Sequence, residues 1–254
     1  MVFLFIRFLP YFVPICYLVL LKVVFYYSDW WILLLLLGVI LDLAYFALLK
    51  YKNPQKPILG LAVFSLIYYF TGSAFVLILE NNYVINSFLL VWSLIFWLYL
   101  EAIFHDFYET THTHIINLQN ISLYVSILSI FFLTCSLISF NIFLNWPNFG
   151  ILIILGIVYL SVISFTLGQQ QISRDNAWLH GSIISLILIE SLLALMFLPV
   201  SFYVTSVIVA LVYYFFFSIT LLSLKKQLTN KLLWRYLAFC LVVALAVFLT
   251  ATWF

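Results

Sequence analysis

The chain is expected to be all-α, a polytopic bundle of transmembrane helices. Of its 254 residues 67% are hydrophobic and only 7% are charged. The mean hydropathy is +1.25. The apolar residues also fall into stretches about as long as a bilayer core is thick. A soluble domain carries about 25% charged and 45–50% apolar residues. Disorder, collagen, coiled coil and disulfide-stapled scaffolds are excluded by the same figures, since each needs high charge, high Gly and Pro, heptads or many cysteines. Unbroken apolar runs without inside/outside alternation do not suit a transmembrane barrel. Helices, by contrast, satisfy their own backbone in lipid.

A helix needs roughly 20 apolar residues to cross about 30 Å of hydrocarbon. Nine such runs can be cut from the chain: Phe3 to Tyr27, Trp31 to Leu49, Ile58 to Leu79, Ser87 to Phe104, Ile121 to Leu144, Ile151 to Leu167, Leu179 to Leu198, Phe202 to Leu224 and Leu232 to Trp253. Arg7, Pro10, Pro14 and Lys22 interrupt the first run, and the sixth runs into Gln169, Gln170 and Gln171, so eight spans is the fallback count. No small-residue cleavage site precedes Tyr26 to Asp29, which leaves the first run as a retained helix. The breaks are short, so residues 1–254 are expected to form a single transmembrane helical domain without a soluble one.

Orientation follows from Lys and Arg, which collect in cytoplasmic loops. With nine spans, Arg7, Lys50, Lys52, Lys56, Arg174, Lys225, Lys226, Lys231 and Arg235 share one side, and only Lys22 lies toward the other. The N-terminus is therefore expected inside and the C-terminus outside. Trp30, Trp31, Trp146, Trp178, Trp234 and Trp253 fall near the interfaces, whereas Trp92 and Trp97 belong to packing. Glycine is scarce, seven in all, and no GxxxG occurs, so close helix crossings are expected at Ala and Ser. Cys16, Cys135 and Cys240 lie within apolar runs without a CxxC pair and read as small buried hydrophobes. A net charge of +2 from dispersed basic residues gives no nucleic-acid partner.

Ionisable groups inside hydrocarbon are functional candidates because each costs at least about 2.5–3.5 kcal/mol there. Glu190 leads, deep in the seventh run, with Leu186, Ile187, Leu193 and Ala194 three and four residues away and nothing on its own face to pair with. It is a proton or cation site, or, as the preferred simpler reading, a neutral carboxyl bonded to a Ser, Thr or Tyr of another helix. Asp42, eight residues before Lys50, could pair with a base such as Arg235, and a structural ion pair is preferred over a relay. Glu101 continues into His105, Asp106 and Glu109 and reads as the polar end of its helix. If that helix extends, His105, Glu109 and His112 share one face at a spacing compatible with a divalent metal. A solvated helix end would look the same and is preferred.

Absent motifs narrow the chemistry. The chain holds no P-loop, no GxSxG and no dinucleotide fingerprint, so no cofactor is expected. Its four histidines are too few for a desaturase-type histidine box.

From Glu190 the chain reads ESLLALMFLPVSFYV, then VALVYYFFF, a basic turn LKKQLTNKLLWRYL and a terminal LTATW. This order resembles an uncharacterised family of polytopic integral membrane proteins from small-genome bacteria, over roughly the C-terminal third. The resemblance implies a bacterial plasma membrane, raises interest in Glu190 and Pro199, and carries no activity with it. Three functions remain. A non-enzymatic structural or accessory subunit, working with membrane lipid and with a protein partner or a second copy of the chain, comes first. A proton- or cation-coupled small-molecule transporter using Glu190 with Asp42 or Glu101 is the alternative. An inner-face lipid-modifying enzyme using His105 and its neighbours is the second.

Overall fold

The computed structural model describes residues 2–26, 31–52, 58–108 and 117–250. Among them are nine helices and no strand: α1 (Val2–Tyr26), α2 (Trp31–Lys52), α3 (Leu59–Val76), α4 (Asn82–Tyr108), α5 (Leu118–Leu144), α6 (Asn148–Gln169), α7 (Arg174–Met196), α8 (Phe202–Leu224) and α9 (Asn230–Thr250). Seven of them, α3 to α9, are long and apolar enough to cross a membrane, as an integral membrane protein requires.

Several helices outrun the apolar stretches that announce them, although α3 stops at Val76, short of Leu79. The fourth run, Ser87 to Phe104, becomes α4 from Asn82 to Tyr108, and the seventh, Leu179 to Leu198, gains a polar opening turn from Arg174. The backbone ladder continues past the hydrocarbon edge because helical hydrogen bonds do not depend on side-chain polarity. The polar breaks supply the caps. Asn81 Oδ1 accepts from the Tyr83 N–H, Asn117 Oδ1 from that of Gln119, and Ser201 Oγ from that of Val204. At the other ends, Asn145, Gln171 and Lys226 take positive φ angles of 52°, 63° and 54°, a conformation in which glycine is the usual choice.

The chain divides into two compact units, Met1–Val125 and Ser126–Phe254. In the first, α1 runs antiparallel to α4: Arg7 meets Glu101, and Tyr11 meets Trp97 with ring centroids 5.4 Å apart. Helices α2 and α3 are antiparallel too, with Asp42 against Ser65 and Gly38 against Tyr69. The core is aromatic. Tyr17 stacks on Tyr69 at 4.4 Å, Tyr68 on Trp92 at 5.5 Å and Trp92 on Phe96 at 5.7 Å. Trp92 is buried, and Trp97 is half-buried against α1.

The second unit pairs α6 with α7. Gly156 touches Ile189, and Ser164 Oγ sits where a Gly181 Cβ would stand, an antiparallel register set by two glycines. Tyrosines join α5 to its neighbours here: the hydroxyls of Tyr159 and Tyr213 bond to Thr134 and Ser126. Tyr214 packs on Tyr236 and Phe239, attaching α9, which buries none of its residues. Trp146, Trp178 and Trp234 are exposed near helix ends.

Two of the seven glycines set the spacing in the first unit. A Cβ on Gly38 would collide with the Tyr69 ring, and one on Gly72 with the Trp92 indole. Gly72→Ala is therefore expected to destabilise the protein by about 1–3 kcal/mol, as overpacking does, despite the better helix propensity of alanine. Adding Trp92→Leu to Gly72→Ala removes the clash and should lower the cost of that substitution, read from thermal unfolding in detergent as a double-mutant cycle.

Candidate functional site in the first unit

The interior of the first unit holds Asp42 and Glu101, the buried acids among the described residues. Asp42 is fully buried on α2 and Glu101 is nearly so on α4. On α2 a buried stripe, Gly38, Asp42, Tyr45 and Leu49, recurs every three or four residues and so faces one way. This periodicity brings the carboxyl and the phenol into the same packed interior.

Ser65 on α3 donates to Asp42 Oδ1 at 2.8 Å, while Oδ2 has no hydrogen-bond partner. Tyr17 on α1 lies beside the carboxyl and donates to the Gly38 carbonyl at 2.8 Å. Tyr99 on α4 is within electrostatic reach of Asp42, and its buried hydroxyl has no partner either. Tyr45 donates to the Leu100 carbonyl at 2.9 Å and is within electrostatic reach of both Asp42 and Glu101. Four helices thus contribute to one polar cluster.

Glu101 begins a second group. Its Oε1 is 2.9 Å from an Arg7 guanidinium nitrogen and 3.1 Å from His105 Nε2. The His105 contact is the i, i+4 pair that the extended α4 allows. Arg7 also lies over the Phe104 ring, 4.9 Å from its centroid, which holds the cation against an apolar wall. Glu101 is therefore engaged within the fold as well as marking a polar helix end.

The remaining sequence candidates lie elsewhere. Arg235 is exposed on α9 in the second unit, and Asp42 takes Ser65 as its partner. Glu190 is exposed on α7, also in the second unit. Of the proposed metal set, His105 is described and bound to Glu101, whereas Glu109 and His112 lie outside the described residues. Among the described residues, no three His, Cys, Asp or Glu gather as a metal site would require.

Arg7, Tyr17, Tyr45, Ser65 and Tyr99 were missed by the sequence reading. The i, i+3 spacing of Asp42 with Tyr45 and the i, i+4 spacing of Glu101 with His105 were available signals. The partners from α1 and α3 had none, because contacts between helices leave no trace in the spacing of one chain.

The Arg7–Glu101 pair is asymmetric: the Arg7 side chain is 35% exposed and that of Glu101 only 5%. Arg7→Ala strands a buried carboxylate and should destabilise the protein by about 3 kcal/mol, the lower end of the cost of breaking a buried pair. Glu101→Gln leaves a guanidinium that can turn toward water and should cost about 1 kcal/mol. Chemical denaturation of the two variants in the same detergent checks the order. The chain matches no family model, no curated protein and no solved structure.

Proposed function

We propose that the protein is a non-enzymatic, membrane-embedded structural or accessory subunit that acts by lateral association with another membrane protein. The observation that carries this reading is the placement of Glu190. Leu179, Ile183, Leu186, Glu190 and Leu193 on α7 and Phe197 just after it are all exposed and follow one another at alternating steps of four and three. A 3.5-residue period is that of a helix–helix seam, and one polar residue within such a seam fixes its register. A carboxyl facing hydrocarbon alone is costly, so a partner helix offering a donor is its natural cover. Helix α9, with no buried residue, leaves a second face open to lipid or partner.

Lipid fits the first unit. A groove of about 280 Å³ lies between α1 and α4, lined by Tyr11, Pro14, Ile15, Leu18, Ser93, Leu94 and Trp97, with a predominantly apolar wall suited to an acyl chain.

The topology proposed with this reading has nine spans in a bacterial plasma membrane, the N-terminus inside and the C-terminus outside. The antiparallel registers of α1 with α4, α2 with α3 and α6 with α7 support it, as does the gathering of basic residues on one side. A phosphatase that folds only outside the cytoplasm, fused after Phe254, should be active. The same reporter placed in the Lys225 to Lys231 turn should be inactive.

Native mass spectrometry of the chain released from nanodiscs should show a stoichiometric protein partner. Glu190→Leu should weaken that association about tenfold, the worth of one interhelical hydrogen bond, while Glu190→Gln, which can still bond, retains it. A chain that emerges alone, or association indifferent to Glu190→Leu, would overturn the reading.

A further inference from the structure

We propose that Asp42 is a reversible proton site, loaded from the His105 end of α4 through Glu101 and Tyr45. This inference is independent of the lateral association, which rests on the other unit.

The groups facing Asp42 are Tyr17 from α1, Tyr45 on α2 itself, Ser65 from α3 and Tyr99 from α4. All are neutral hydroxyls, and among the described residues no lysine or arginine pairs with the carboxyl. A fully buried carboxylate served by one hydrogen bond would be stranded at great cost, whereas its neutral form is tolerated. Glu101 differs, having Arg7 and His105 beside its carboxyl. The two acids therefore sit in unlike surroundings, one among hydroxyls and one beside basic side chains.

Unfilled hydrogen-bonding capacity marks the route. Asp42 Oδ2, the Tyr99 hydroxyl and Glu101 Oε2 are buried without a partner. Such groups inside a protein point to a water or proton that comes and goes. Tyr45 lies three residues from Asp42 on α2, and its hydroxyl reaches the carbonyl of Leu100, the residue before Glu101; by releasing Leu100 it would link the two acids. At the far end, His105 is half-buried and Asp106 exposed, so the last step opens to water.

Loading breaks the Tyr45 O–H bond as it forms the Asp42 O–H bond; Glu101, having taken a proton from His105 Nε2, passes it to Tyr45, and a hydronium ion replaces the His105 proton, so the charge balances and no electron changes hands. A cycle of this kind would switch the polarity at the contact of α1, α2, α3 and α4, coupling proton occupancy to their packing.

Infrared difference spectroscopy of the full chain in lipid nanodiscs, titrated with pH, tests the proposal. The wild type should show a protonated-carboxyl band at neutral pH that Asp42→Asn abolishes and Glu190→Gln leaves in place. Ser65→Ala should keep the band and move its frequency, because the hydroxyl it loses is bonded to the same carboxyl. Tyr45→Phe should keep the band and slow its hydrogen–deuterium exchange. A band unchanged by Asp42→Asn overturns the site. If Asp42→Asn does not fold, a frequency unmoved by Ser65→Ala overturns it instead. Exchange in Tyr45→Phe as fast as in the wild type overturns the route.

Discussion

A carboxyl group in the middle of α2 has no water to hold it, and the arrangement of the first unit answers that constraint. Asp42 lies where α1, α3 and α4 each bring a hydroxyl, from Tyr17, Ser65 and Tyr99. None of these residues is charged, so the surrounding wall stays compatible with hydrocarbon. The cluster is polar enough to receive an acid and apolar enough to be buried. Burying such a group without partners would cost several kcal/mol, which is a large fraction of any domain's stability.

Tyrosine carries much of this work because it is amphipathic. Its ring joins the stack of Tyr17, Tyr69, Trp92 and Phe96, while its hydroxyl reaches a carbonyl on a neighbouring helix. Tyr17 to Gly38 and Tyr45 to Leu100 are both of this kind. Large rings force helices apart unless something small stands opposite. Gly38 and Gly72 perform that role under Tyr69 and Trp92, so the scarcity of glycine is compatible with close packing where it matters. Ser164 against Gly181 repeats the device in the second unit. Close crossings were expected from Ala and Ser alone, and the structure adds glycine opposite an aromatic ring or a hydroxyl.

The helical class was legible because hydrocarbon imposes it: runs of about 20 apolar residues have one stable backbone. Boundaries were less so. The first turns of α4 and α7 are polar, and hydropathy alone assigns them to loops although Asn81 and Asp175 are good helix-opening residues. Of the site, the acids were visible as violations of an apolar pattern. Their partners were not, since Ser65 and Tyr99 are ordinary membrane residues until a neighbouring helix places them beside Asp42. Arg7 shows the limit from the other side. Counted as a topology signal, it also neutralises Glu101, and nothing in the order of residues distinguishes the two roles.

The three membrane acids therefore differ by what surrounds them. Glu101 meets Arg7 and His105, Asp42 meets hydroxyls, and Glu190 stands on an exposed face of α7. For the first two the fold itself meets the energetic demand, so their chemistry can be argued from one chain. Glu190 is exposed among Leu186 and Leu193, and the cover proposed for it is a helix from outside the chain. An interior acid that only stabilised the fold would be replaceable by an apolar residue of similar volume, often with a gain in stability. The place of Asp42 beside the unpartnered Tyr99 hydroxyl thus fits the proposed proton site, and the place of Glu190 on a seam fits the proposed association.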